Sequence, residues 1–183
     1  MKKKKILEII FVQRMFLVIV ALMCSSCSNN MPSPKPYVAP KDVKIQLRSD
    51  IVFLTATEQA KKIRSGELSS LEVVEAHLSQ IYTFNPKLNA VVTINTKNAL
   101  KRAKEADKAL AEGKIWGPLH GVPITIKDHY ATKSIRTTSG FYPLAKFVPD
   151  FDATVVARLK NSGAIILGKT NMPPIGMDTQ TDN

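Results

Sequence analysis

The segment at 152–170, DATVVARLKNSGAIILGKT, narrows the folds open to this chain more than any other. Val155, Val156 and Leu159 recur at helical spacing behind Asp152, which stands where an N-cap belongs, and Gly163 stands where a left-handed stop belongs. The next four residues, Ala164-Ile165-Ile166-Leu167, are wholly apolar and of strand length. A strand without polar alternation is buried on both faces, and a helix handed through a tight glycine turn into such a strand is an α/β arrangement. Composition agrees: 44% hydrophobic and 22% charged residues are ordinary for a globular chain, and 11 Pro and 8 Gly in 183 residues exclude collagen and low complexity.

Upstream, two capping boxes predict two helices. Thr55 with Glu58 opens a helix that runs to about residue 64 or 65, with Gly66 as its stop. Ser69 with Glu72 opens another, whose stripe is Leu71, Val74, Leu78 and Ile81, and Asn85-Pro86 is expected to end it. LNAVVTI at 88–94 has the β-branched content of a buried strand. Ala99, Leu100, Ala103, Ala106 and Leu110 form the stripe of a third helix, closed by Gly113, and PLHGVPITIK at 118–127 reads as a turn and a short strand. About four strands are expected in all.

The first residues resemble an export signal. Lys2 to Lys5 supply a positive start, MFLVIVALM at 15–23 is an apolar run of signal length, and Cys24-Ser25-Ser26-Cys27 follows. The pattern resembles a bacterial lipoprotein box with Cys27 as the lipidated residue, although Cys24 replaces the usual leucine. The run is too short to span a bilayer core, which needs about 20 residues. NNMPSPKPYVAP at 29–40 reads as an extended tether. The expected division is a signal at 1–27, a Pro-rich linker at 28–45 and a folded domain at 46–183, in an exported, membrane-anchored lipoprotein.

Several function classes are set aside. Of the net +11, Lys2 to Lys5 and Arg14 against Glu8 supply +4, and much of the remaining excess lies between Thr96 and Lys114, interleaved with Glu105, Asp107 and Glu112 as on a solvated helix face. No basic run is interleaved with aromatics, so nucleic-acid binding is not expected. His77, His120 and His129 lie far apart with no cysteine near them, so no metal site is expected. GAIILGKT at 163–170 fits the phosphate-binding-loop pattern letter for letter. That loop needs exposed backbone donors and a following helix. Ala-Ile-Ile-Leu suits a core strand instead, and Asn171-Met172-Pro173-Pro174 opens a helix poorly.

Lys127 carries the chemistry. On the strand Ile124-Thr125-Ile126-Lys127 the side chains alternate, so Lys127 shares a face with Thr125. A lysine ending an apolar strand either snorkels to water or is buried, and burial of the amine favours its neutral, basic form. Periodicity alone favours snorkelling. Asp128 is placed either to pair with Lys127 or to cap the following turn.

From residue 88 onward the chain closely resembles the amidase signature family. The resemblance rests on five pieces in order: LNAVV at 88–92, GPLHGVPITIKD at 117–128, TTSG at 137–140, DATVVARL at 152–159 and GAIILGKTNM at 163–172. It implies the N-terminal part of the family's mixed sheet, surrounded by helices and incomplete here. It also implies an enzyme that hydrolyses a carboxamide C–N bond of a small-molecule substrate, with no metal or organic cofactor. Lys127 is then the base, in a dry pocket, taking a proton from a bridging serine that activates a nucleophilic serine.

In the family both serines belong to a Gly/Ser-rich segment beyond the Thr-acid-Asn that Thr181-Asp182-Asn183 resembles, and no such run occurs in this sequence. Ser139 reads as a turn residue, His120 as structural, and His129 occupies a place the family often gives to asparagine. Pro173-Pro174-Ile175 departs from the family's acidic-aromatic pair. The expectation is therefore the N-terminal fragment of a lipid-anchored amidase, inactive alone, with the C-terminal remainder of the amidase as its partner. The alternatives are a non-catalytic surface lipoprotein that keeps half an amidase scaffold, and the amidase-type component of a tRNA-dependent amidotransferase.

Overall fold

The computed structural model describes residues 38–41, 43 and 45–181. The expected signal segment, Cys27 and most of the Pro-rich tether lie outside the described residues. Among the described residues three helices come first: α1 (Ser49–Val52), α2 (Ala56–Arg64) and α3 (Ser70–Leu88). Strand β1 (Val91–Ile94), helix α4 (Thr96–Ala111), strand β2 (Pro123–Lys127), helix α5 (Thr154–Asn161) and strand β3 (Ile165–Thr170) follow. The sheet order is β1-β3-β2, with β1 antiparallel and β2 parallel to the central β3. The parallel pair requires a crossover, which the 128–164 connection and its helix α5 supply. The chain is a mixed α/β fold with a small sheet and flanking helices, as expected, with three strands among the described residues rather than about four.

Both capping boxes form. Thr55 Oγ1 accepts from the Glu58 N–H at 3.2 Å while Glu58 accepts from the Thr55 N–H at 2.7 Å, and Ser69 and Glu72 repeat the exchange. These reciprocal bonds satisfy donors that a helix start leaves open. Between α3 and α4 the contact is made by Val74 and Leu78 against Ala99, Ala103 and Ala106, continued by Ile165 and Leu167 of β3. Alanines at i, i+4 and i+7 leave a shallow face that lets the larger α3 side chains approach.

A second cluster joins Ile51, Ala60, Ile63, Val73, Ala76 and Val122. The third, Ile126, Ile135, Val156 and Ile166, lies between the sheet and α5. Burying each such branched side chain contributes about 1.5–3 kcal/mol.

Two boundaries differ from the sequence reading. Helix α3 does not end at Asn85-Pro86 but runs to Leu88, because a proline in the last turn removes one donor without ending the turn. Asn89, left-handed at φ 47°, closes it, and the buried Asn85 side chain both accepts from the Val91 N–H at 2.8 Å and donates to the Val91 carbonyl at 2.9 Å. Asn85 thus fixes where β1 starts. Asn85→Ala should cost about 1–3 kcal/mol, the penalty for two buried backbone groups left unpaired, read from urea unfolding.

Asp152 does not cap α5, whose N-cap is Ala153. Its carboxylate instead accepts from the Lys133 N–H at 2.8 Å and pairs with Lys160 at 2.7 Å, tying the 128–153 connection to the far end of α5. These contacts hold the Asp152 carboxyl below its ordinary range, against the upward push of burial.

Candidate active site

The carboxyl ends of the parallel strands β2 and β3 lie side by side, Lys127 opposite Thr170 and Ile126 opposite Lys169. Ligands in α/β folds gather beyond the carboxyl ends of parallel strands. Alternation sets the faces: Ile126 is buried while Thr125 and Lys127 are exposed. Lys127 therefore stands at the strand end with its side chain open to solvent. The expectation of a dry pocket is corrected within the described residues: β2 has a pairing partner on one side only, and the face shared by Thr125 and Lys127 is uncovered.

Asp128 turns the other way. It does not partner Lys127; it is fully buried, accepts from the Thr138 N–H at 3.0 Å and from the Thr138 hydroxyl, and lies 3.9 Å from the Lys169 ammonium. Its backbone is held as well: the Asp128 N–H donates to the Thr170 carbonyl at 3.1 Å, and its carbonyl accepts from the Ser139 N–H at 3.1 Å. The threonine turn is thereby pinned to the end of β2. Ser139 has φ 54° and acts as a turn residue, and a Cβ on the neighbouring Gly140 would lie 2.6 Å from the Met172 carbonyl, so only glycine fits.

Lys169 is the residue that sequence reasoning missed. It is 0% exposed, and its ammonium donates to the Tyr130 carbonyl at 2.5 Å, Thr137 Oγ1 at 2.9 Å and Thr132 Oγ1 at 3.1 Å. Burial pulls its pKa down to about 8, opposed by Asp128. The eight residues of the phosphate-loop match are, as structure, a glycine turn at Gly163 with φ 93° and the strand β3, and no α-helix follows. The available signal was a lone lysine two residues beyond an unbroken apolar run, which a continuing strand carries into the core.

His120 and His129 differ in burial. His120 is buried, with Nδ1 accepting from the Trp116 N–H at 3.1 Å and Nε2 3.1 Å from the Ala106 carbonyl. That pair of partners selects the neutral Nε2–H form. Burial lowers its pKa, and the ring is structural. His129 is exposed. A cleft of about 350 Å³, lined by Asn95, Arg102, Lys133, Lys160 and Ile165 among others, opens at the other end of β3 and does not include Lys127. Among the described residues no cluster of His, Cys, Asp and Glu could hold a metal ion, and no helix is long and apolar enough to cross a membrane.

Residues 72–183 match the Amidase family model. The chain is 44% identical over 135 residues to a glutamyl-tRNA(Gln) amidotransferase subunit of Streptomyces coelicolor, covering 74% of this chain and 27% of that protein. Among solved structures it is similar to a fatty acid amide hydrolase, with TM-score 0.69 and 33% identity over 73% of this chain and 24% of the other. It is likewise similar to the peptide amidase of Stenotrophomonas maltophilia, with TM-score 0.63 and 36% identity over 67% of this chain and 26% of the other. The chain thus spans about a quarter of the length of the relatives it matches.

Proposed function

The chain belongs to the amidase signature family, and from that premise we propose that it forms the base-bearing part of an enzyme that hydrolyses a carboxamide C–N bond. The observation that carries the reading is the match over 72–183 with Lys127 at the carboxyl end of β2, beside the parallel β3. Lys127 is the base in this reading. The bridging and nucleophilic serines come from the portion of the family fold that this chain does not span, and so does the cover that dries Lys127. The substrate is a small-molecule amide.

The test is amide turnover. The purified chain should release no ammonia from a simple aliphatic or aryl amide. Fused to the remainder of the Stenotrophomonas peptide amidase, it should gain that activity. Turnover by the chain alone that disappears in Lys127→Ala would overturn the division of base from nucleophile.

A second reading is favoured by the 44% identity to a component of a tRNA-dependent amidotransferase. The same C–N cleavage would then supply ammonia to an acceptor instead of to water. The lysine-rich start and the apolar run at 15–23 support export, with lipid on Cys27, and so favour the hydrolase. Mass spectrometry of the mature protein should find a diacylglyceryl-modified Cys27 as the first residue; a chain retaining Met1 would favour the amidotransferase reading.

A further inference from the structure

Lys169 has no place in the reaction proposed for Lys127, yet the interior is built around it. A fully buried ammonium is expensive unless paired and hydrogen-bonded. Here it has three acceptors and a carboxylate 3.9 Å away. Those partners all lie between residues 128 and 137, the segment that leaves β2 immediately after Lys127. Ile126 and Lys169 are register partners, as are Lys127 and Thr170, so Lys169 and Lys127 project from opposite faces of the same strand ends. Three backbone bonds bracket the Lys127 main chain: Asp128 N–H to Thr170, Tyr130 N–H to the Lys127 carbonyl, and Ser139 N–H to Asp128.

We propose that Lys169 is a positioning residue for Lys127: from behind the sheet its ammonium holds the Asp128 carboxylate and the 130–137 segment, and through them fixes the backbone on which Lys127 stands. Lys169 touches no substrate in this role. The functional importance of the device rests on reading Lys127 as the base, whereas the device itself is a property of the described chain and is tested without any activity measurement. Asp128 is the charged group that acts on Lys169 among the described residues. The groups facing Lys169 from the 130–137 segment and from β1, at Tyr130, Thr132, Thr137 and Thr93, are a neutral carbonyl and hydroxyls, and Arg136 is engaged with the Val92 and Ala145 carbonyls.

The test is amide hydrogen exchange in the full chain, comparing wild type, Lys169→Met, Asp128→Asn and the double variant. In Lys169→Met the amides of Asp128, Tyr130 and Ser139 should exchange roughly tenfold faster or more, while α3–α4 amides change less. The double variant, which removes both charges, should restore most of that protection. A lysine that merely fills space would give no rescue in the double variant. If Lys169→Met does not fold, Asp128→Asn reports from the other side, with the same three amides loosened. Wild-type exchange at those amides in either folded single variant, or no rescue in the double, overturns the proposal and leaves the reading of Lys127 as a base untouched.

Discussion

Asp128→Ala should destabilise the fold by about 3–5 kcal/mol, the cost of leaving the other member of a buried pair without its counter-charge. The carboxylate accepts from the Thr138 N–H and hydroxyl and faces the Lys169 ammonium, and neither Asp128 nor Lys169 reaches solvent. Alanine removes all three interactions and leaves a buried cation. The size of the effect should depend on pH, with a sign fixed by Lys169.

Its pKa is about 8 in the folded chain, below the ordinary 10.5, so below pH 8 the folded state carries the full cost of a buried ammonium. Between those values the unfolded chain holds the proton that the folded chain has released, and stability from this group rises with pH. Asp128 raises that pKa, so removing it shifts the folded value further down. The deficit of Asp128→Ala relative to wild type is therefore greatest in mildly acid solution, where both folded proteins hold the buried ammonium, and narrows as pH rises to about 8, above which Lys169 is neutral in both. Urea unfolding at about pH 6 and about pH 9 measures it; a deficit independent of pH would contradict the pairing.

Helix caps, helix stripes and the central strand were legible because each is a local pattern. Thr55 and Ser69 with their glutamates three residues on, the alanine stripe of α4 and the apolar run before Gly168 need no knowledge of distant residues. The errors occur where a distant partner decides. Asp152 has the right composition for a cap and is drawn instead to Lys133 and Lys160. Asn85 precedes a proline and yet the helix continues to Leu88, and the Asn85 side chain reaches on to hold Val91 at the start of β1. Asp128 sits beside one lysine in sequence and pairs with another 41 positions away, because a strand end turns successive side chains to opposite faces. Lys127 was identified by the motif around it, but its solvent exposure could not be, since the residues that dry a strand end come from elsewhere in the fold.

The second large effect concerns that lysine. In an enzyme completed by the rest of the family fold, Lys127→Ala should lower kcat by roughly 10²–10⁴-fold, the ordinary contribution of a positioned general base. KM should change far less, because the amine meets a proton in the transition state and contributes little to ground-state binding. Lys127→Arg should be nearly as inactive, since a guanidinium keeps its proton and cannot accept another. In the chain alone both variants should keep the wild-type unfolding midpoint, because the Lys127 side chain is exposed there.

The decisive measurement is ammonia release by the fusion of this chain to the remainder of the Stenotrophomonas peptide amidase, with lysine and with alanine at position 127. The expected result is turnover with lysine and a loss of roughly 10²-fold or more with alanine in a fusion that still folds. A folded Lys127→Ala fusion that turns over its amide at the rate of the unsubstituted fusion would contradict the assignment of the base.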